Sequence, residues 1–183
     1  PAEILRLVTA DATQAAELCD SITAAGVSIR AADEGVAEAV HVAHAAAETD
    51  AERAREQQIA AHGYLSSGGR HEITGDGESL IAMLPESLGD TLEIGFGYAL
   101  TAQRVAPRAR RYIGIDLSTE QGIRLRACGG SGLVADIHWL PLADRSFDTI
   151  IADNVLEHAG SPRVVLTELH RVLKPGGRVY ALI

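Results

Sequence analysis

Two acidic residues and two glycines at a defined spacing are the groups of this chain that could hold a ligand. Glu93 lies near the end of a short apolar run, and Gly95 and Gly97 follow it in a turn. Asp116 comes nineteen residues after Gly97, directly after a second apolar run over 112–115. Glycine permits a tight turn and a close approach of the backbone to a ligand, and a carboxylate accepts hydrogen bonds from ribose hydroxyls. Strand, glycine-rich turn, helix, strand and acid is the order of a nucleoside-binding α/β unit.

The turn differs from a dinucleotide-binding turn in one glycine. A dinucleotide fingerprint needs a glycine three residues after Gly97, and this chain has Leu100 there. Glu93 would also repel a pyrophosphate group, whereas a cationic sulfonium ligand with a free ammonium group is compatible with it. The sequence therefore disfavours an NAD-dependent oxidoreductase.

Alternating helices and strands must position these groups. Strands are predicted near 91–94, 112–115, 132–136, 148–152 and 178–183, and helices near 78–87, 98–106, 118–127 and 161–173. This alternation predicts an α/β fold with a doubly wound, mostly parallel Rossmann-like sheet that is covered on both faces. Ligands bind such a sheet beyond the carboxyl ends of its strands, where the acidic residues lie.

Four ordered motifs within 91–183 extend the glycine-turn pattern: LEIGFGYA, YIGIDLS, VADIHWLPLADRSFDTIIADNVLEH and LKPGGRVYALI. With them, the chain from about 78 to 183 resembles a class I S-adenosylmethionine-dependent methyltransferase of the type called methyltransferase domain 11. The third glycine that is usual in the family's first motif is Ala99 here. The resemblance implies S-adenosylmethionine as the cofactor, S-adenosylhomocysteine as its product, and methyl transfer to a small-molecule acceptor.

The resemblance also implies roles for the residues of the first two motifs. Gly95 and Gly97 would face the amino-acid part of the cofactor, and Glu93 would support their loop. Asp116 would hold the ribose, and Leu117 would pack on the adenine ring.

The third motif carries the remaining roles that the resemblance implies. Asp136 would meet the adenine amino group, and Ile137 would cover the other face of the ring. Asp153 and Asn154 would lie at the end of the fourth strand of the methyltransferase-like part, beneath the methyl-transfer pocket. For Asp136 there is a second interpretation, a polar cap at the end of a strand.

His158 and Asp153 are the candidate catalytic residues. Methyl transfer from a sulfonium is an in-line displacement that mainly needs alignment and exclusion of water. A general base helps only when the acceptor carries a proton of high pKa. His158 ends the motif VLEH, which lies near the reacting face in similar enzymes, but it could equally cap a helix or make a local hydrogen bond.

Composition bounds the classes of partner. The chain has 183 residues, a formal net charge of −9, and 46% hydrophobic residues. This acidic balance argues against a nucleic-acid partner, which needs clustered Lys and Arg. Cys19 and Cys128 match neither a metal spacing nor a disulfide framework, so no metal site is expected. In the absence of a signal or a long apolar span, the sequence favours a cytoplasmic protein without a membrane partner.

We recognise no family in the first part of the chain. Strands are predicted at 4–9 and 27–30 and a helix over about 35–61, so residues 1–70 are expected to form a mainly helical or α/β appendage to a methyltransferase-type domain over 71–183.

The last predicted strand would form an open edge, because the family's sheet continues beyond its fifth strand. We expect either that the chain is a fragment of a longer polypeptide or that a partner, such as a second copy, covers this edge. The fragment is the favoured interpretation. An alternative to an enzyme is therefore a non-catalytic methyltransferase-like module in a larger protein or assembly.

Overall fold

The structure of the protein is a computed structural model that describes residues 3–8, 28–33, 36–41, 75–117 and 124–183, with side chains over 77–117 and 124–183. The strands are β1 (Glu3–Val8), β2 (Ser28–Asp33), β3 (Val36–His41), β4 (Gly89–Ile94), β5 (Ala109–Asp116), β6 (Ser131–Val134), β7 (Phe147–Asp153) and β8 (Leu173–Leu182). The helices are α1 (Gly75–Met83), α2 (Leu100–Val105) and α3 (Pro162–Val172), and 3₁₀ turns cover Ala106–Arg108 and Leu156–His158. Of the predicted helix over 118–127, residues 124–127 are described and are helical. None of the described helices is both long and apolar enough to cross a membrane.

The described strands form one sheet in the order β2-β3-β1-β6-β5-β4-β7-β8. The strands from β6 to β8 in this order are parallel to their neighbours, whereas β1 pairs with β6 in the antiparallel direction. The parallel part confirms the predicted α/β fold with a Rossmann-like sheet. Most residues of its central strands β4 and β7 are buried, as expected for a parallel sheet that is covered on both faces.

The prediction of a helix from about residue 35 is wrong for Val36–His41, which form β3. This strand pairs with both β1 and β2, and Val36 lies opposite Val8 while Val40 lies opposite Ile4. Alanine has the highest helix propensity, but propensity is a small term that strand pairing on two sides outweighs. The rest of the predicted helix lies outside the described residues, as does the proposed boundary near residue 70, so the division into two domains stays a prediction.

The last strand begins earlier than predicted. We expected a turn at 175–177 before a strand at 178, but β8 already starts at Leu173, which pairs with Phe147. The register then shifts, so that Thr149 lies opposite Arg178. Gly176, whose φ is +82°, lies in the bulge that β8 forms between these two pairs. Within the described chain β8 is an edge strand, as predicted.

Each face of the parallel sheet carries its own core. Leu92 and Ile94 point to one face, where α3 packs through Val165, Leu169 and Val172. The 4-residue and 3-residue spacing of these α3 side chains explains why this segment forms an amphipathic helix, and Pro162 suits its first turn. The opposite face holds α1 and α2 and a second core that includes Leu80, Phe96, Ala102, Tyr112, Leu125 and Ile151.

Candidate functional site

Three acidic residues meet at one edge and on one face of the sheet. In the register of the parallel strands, Glu93 lies opposite Gly114 on one side and Ile151 on the other. Asp116 and Asp153 follow these partners by two residues, and side chains two apart in a strand point to the same face. Glu93, Asp116 and Asp153 therefore converge from adjacent strands at the carboxyl ends of β4, β5 and β7.

Glu93 is the innermost of the three. It is 1% exposed, and its Oε2 accepts a hydrogen bond of 2.9 Å from the Tyr112 hydroxyl. The pKa of Glu93 is raised from 4.5 to about 8. Burial is the largest cause, the hydrogen bond from Tyr112 opposes it, and the charges of Asp153 and Asp116 add to it. The acid that the sequence predicts as a carboxylate thus holds its proton in most molecules at neutral pH.

Asp116 closes the glycine-rich turn. Its carboxylate is 4% exposed, and its Oδ2 accepts a hydrogen bond of 3.1 Å from the backbone N–H of Gly97. The N–H of Gly95 donates to the carbonyl oxygen of Ile115 at 2.7 Å. These two bonds hold the turn after β4 against the end of β5, where the sequence predicted a ligand.

The turn has a left-handed backbone at three positions. Gly95 has φ +63°, Gly97 has φ +49°, and Ala99, which immediately precedes α2, has φ +57°. At Gly95 a side chain is also excluded sterically, because a Cβ atom there would lie 2.8 Å from the Cβ of Val155. Glycine at this position therefore lets the turn and the segment after β7 approach closely.

Asp153 is held from two sides at the end of β7. Its Oδ2 accepts a bond of 3.1 Å from the Thr101 hydroxyl of α2, and its Oδ1 accepts one of 2.8 Å from the Asn154 amide. Asn154 itself is exposed and has φ +49°, a conformation that asparagine tolerates. Thr101 thus connects the helix after the glycine-rich turn to the acid on the neighbouring strand.

Asp136 follows β6 and is bound to a buried histidine. Its Oδ1 accepts hydrogen bonds from the backbone N–H of His138 at 2.8 Å and from the ring Nδ1 of His138 at 2.7 Å. The Nε2 of the same ring accepts the backbone N–H of Ser161 at 3.0 Å. Asp136 is therefore more than a simple cap of its own strand, because it belongs to a network that reaches the start of α3.

Arg171 of α3 fixes the loop that follows Asp136. Its Nη1 donates to the carbonyl oxygen of Leu142 at 2.7 Å, and its Nη2 donates to that of Leu140 at 2.8 Å. Glu168 binds the same guanidinium and also accepts the N–H of Leu140 at 2.8 Å. The hydrogen bond to Glu168 raises the pKa of Arg171 above its ordinary value. Helix α3 thus holds the loop at residues 140–144.

The remaining predicted site residues lie on the segments that leave the sheet. Leu117 is half-buried and follows Asp116, and Ile137 is half-buried against the core. His158 is exposed and ends the 3₁₀ turn Leu156–His158, where its backbone N–H donates to the carbonyl oxygen of Val155 at 3.1 Å. Its predicted role as a base, and the cofactor contacts of Leu117 and Ile137, stay predictions.

A family profile described as a methyltransferase domain matches residues 92–181, the stretch that carries the glycine-rich turn and the converging acids. This part of the chain belongs to the methyltransferase domain family. The resemblance stated from the sequence motifs is thereby confirmed.

Individual relatives agree with this family. A protein of Mycolicibacterium smegmatis named "probable S-adenosylmethionine-dependent methyltransferase" is 36% identical over 48% of this chain and 35% of its own length. The malonyl-[acyl-carrier protein] O-methyltransferase of Marinomonas is 34% identical over 56% of this chain and 41% of its own length. The chain thus spans less than half the length of these curated relatives.

A solved structure is also similar to the methyltransferase domain. It is a chain from the complex between the Haloferax volcanii Trm112 methyltransferase activator and a methyltransferase, with a TM-score of 0.56 and 30% identity. The match covers 68% of this chain and 57% of that one. This solved structure therefore supports the Rossmann-like fold of the methyltransferase domain.

Sequence reasoning missed three partners in the site: Tyr112 for Glu93, Thr101 for Asp153, and Ser161 for His138. Only the first could have been found. Tyr112 precedes Gly114 by two residues and so shares its face, and Gly114 pairs with Glu93 once the register is known. The contacts of Thr101 and Ser161 depend on how α2 and α3 pack on the sheet, for which the sequence has no local signal.

Proposed function

We propose that this protein binds S-adenosylmethionine at the carboxyl ends of β4, β5 and β7 and transfers its methyl group to a small-molecule acceptor. The observation that carries the proposal is the convergence of Glu93, Asp116 and Asp153 around a glycine-rich turn within a methyltransferase domain. The acidic side chains of Asp116 and Asp153 at this edge suit a ligand with positive charge.

The residues of the turn fit the nucleoside and amino-acid parts of this cofactor. Asp116 is buried at the end of β5, where its carboxylate would accept hydrogen bonds from the ribose hydroxyls. Gly95 and Gly97 would bring the backbone close to the amino-acid part, and Glu93 would support the turn from beneath. Leu117, directly after Asp116, would pack on the adenine.

The loop after β6 and the end of β7 would complete the site. Asp136 would accept the adenine amino group, and Ile137 would cover the second face of the ring. Asp153 and Asn154 would line the site where the acceptor meets the methyl group. When bound, the cofactor supplies an electrophilic methyl group on a sulfonium centre.

The chain itself would align the acceptor with the methyl group, exclude water and provide a suitable electrostatic field. Asp153 is oriented by Thr101 and Asn154, so its charge lies in a defined direction at the end of β7. His158 is exposed five residues further along the chain, where it could take a proton from an acceptor that carries one. If His158 acts as this base, His158→Gln should lower kcat and leave the Kd for S-adenosylmethionine unchanged.

Isothermal titration with S-adenosylmethionine, and separately with NADH, tests the cofactor. We expect S-adenosylmethionine to bind and NADH to give no heat, since the turn lacks the third glycine. Binding of NADH alone would refute the proposal. Asp116→Asn is the variant that should weaken binding, and Glu86→Gln, which removes an exposed acid next to Pro85, is its matched control.

Formation of S-adenosylhomocysteine over a panel of metabolites tests the transfer. Turnover with any of them supports an enzyme with a small-molecule acceptor. Tight cofactor binding by the full-length protein without turnover of any acceptor would favour the alternative of a non-catalytic module. A cytoplasmic location and the absence of a nucleic-acid partner remain predictions from composition.

A further inference from the structure

We propose that His138 is a positioning residue that sets the direction of the Asp136 carboxylate and thereby makes the site select adenine over a base without the amino group. This inference rests on the proposed function, because it assumes that Asp136 receives the adenine amino group. The inference goes beyond the proposed function because it assigns a role to His138, to which the motif pattern assigns none.

The geometry around Asp136 carries the proposal. The carboxylate oxygen Oδ1 accepts two bonds from one residue: the backbone N–H of His138 at 2.8 Å and the ring Nδ1 at 2.7 Å. The side chains of Asp136 and His138 are 9% and 6% exposed, so little water competes for these bonds. Two donors on one oxygen determine the plane of the carboxylate.

The partners of the ring also determine its tautomer. A carboxylate only accepts, so Nδ1 must carry the hydrogen that it donates to Asp136. The backbone N–H of Ser161 only donates, so Nε2 must offer its lone pair. His138 is therefore a neutral imidazole with its proton on Nδ1, and neither nitrogen can change its role without the loss of a buried bond.

The bond to Ser161 connects the adenine side of the site to the acceptor side. Ser161 directly precedes α3, and its own side chain makes no capping bond to that helix. Residues 154–160 lie between the end of β7 and Ser161, so they are anchored at one end by Asp153 and at the other by the His138 ring. A shift of His138 would move Asp136 and the start of α3 together.

Two substitutions separate the two bonds of the ring. The amide nitrogen of asparagine lies close to the position of Nδ1, so His138→Asn keeps a donor for Asp136 and loses the acceptor for Ser161. The amide of glutamine reaches the position of Nε2, so His138→Gln keeps a partner for Ser161 and loses the donor for Asp136. His170→Gln, at an exposed histidine of α3, is the matched control.

The readout is the ratio of Kd values for S-adenosylhomocysteine and S-inosylhomocysteine, measured by titration of the full chain. In the second ligand a carbonyl oxygen replaces the adenine amino group, and an acceptor there would face a carboxylate. We expect the wild type, His138→Asn and His170→Gln to prefer adenine, and His138→Gln to lose roughly tenfold of that preference, as for one charge-assisted hydrogen bond. An undiminished preference in His138→Gln would overturn the inference.

A second measurement does not depend on folding of the variants. The ¹⁵N chemical shifts of the His138 ring in the wild-type protein should identify a neutral imidazole protonated on Nδ1. A ring protonated on Nε2 alone would overturn the inference even if the ligand binds. If the wild type binds neither S-adenosylmethionine nor S-adenosylhomocysteine, the proposed function fails. If the wild type binds both and His138→Gln keeps the same base preference, only the role of His138 is refuted.

Discussion

The Tyr112 hydroxyl donates a hydrogen bond of 2.9 Å to Glu93 across two neighbouring parallel strands, in the interior of the protein. Both residues are nearly inaccessible to solvent, at 4% and 1% exposed. The pKa of Tyr112 is raised well above 10.0, mainly by burial and also by the acid beside it, so the phenol remains a donor. The pair places one titratable carboxyl directly beneath the glycine-rich turn.

Stability should fall as the pH rises from about 4.5 to about 8. Glu93 has a pKa of about 8 in the folded protein against an ordinary value of 4.5, so the folded state holds more protons in this window. The stabilisation is complete below 4.5 and is lost as the pH rises through 8. Urea unfolding of wild type and Glu93→Gln over this range should differ by a term that changes by up to about 1.4 kcal/mol per pH unit.

Tyr112→Phe provides the companion measurement for this titration. The bond from Tyr112 lowers the pKa of Glu93 in the folded protein, so its loss should extend the decline of stability to higher pH, with the same onset near 4.5. Glu86→Gln removes an exposed acid and should leave the wild-type pH profile in place. A Glu93→Gln protein with the same pH profile as wild type would contradict the assignment of the buried proton to this residue.

Asp116→Ala should weaken binding of S-adenosylmethionine by about 1–3 kcal/mol, because charge-assisted hydrogen bonds to the ribose are lost. Asp116→Asn keeps an oxygen that can accept the Gly97 N–H, so it should preserve the turn and still lose the effect of charge. Isothermal titration measures both. Equal affinity of all three proteins would mean that the ribose binds elsewhere.

Gly95→Ala should destabilise the protein more than Gly176→Ala. Both glycines have positive φ values, +63° and +82°, so both alanines meet a backbone cost of about 1–2 kcal/mol. Only the Cβ at position 95 collides with Val155, since nothing lies within 4 Å of the one at position 176. The difference in Tm between the two variants measures the effect of the steric clash with Val155.

Val155→Ala in combination with Gly95→Ala checks the cause, because it removes the methyl groups that the new Cβ meets. The double variant should recover part of the stability that Gly95→Ala loses. If it recovers none, the contact between the turn and the segment after β7 is not what excludes a side chain at this position.

Arg171→Lys should destabilise the loop over 140–144, although it keeps the positive charge. A lysine ammonium cannot reproduce the planar guanidinium that binds the Leu140 and Leu142 carbonyl oxygens together with Glu168. We expect a loss of about 1.5–3 kcal/mol in the free energy of unfolding, since charged donors to buried acceptors are involved. Arg163→Lys, at an exposed position of the same helix, should change stability by less than about 0.5 kcal/mol in the same urea titration.

The parallel half of the sheet could be predicted because its signals are local. The segments that become β4, β5 and β7 contain short apolar stretches, and their alternation with helices predicts parallel strands. Residues 36–41 could not be assigned in the same way. Their sequence, VAEAVH, is compatible with a helix and with a strand, and pairing with β1 and β2 is what makes them a strand.

The sequence by itself determined most elements of the parallel part of the sheet, the edge at which a ligand would bind, and the acidic residues near that edge, because periodicity and motif spacing are properties of neighbouring positions. Tertiary structure decided which groups meet across the chain: Tyr112 beneath Glu93, Thr101 on Asp153, and Ser161 on the His138 ring. It also decided that Glu93 keeps its proton, since a pKa depends on burial and on charges from other strands. Strand register and helix packing bring together residues that are far apart in the chain, and no local sequence pattern specifies these contacts.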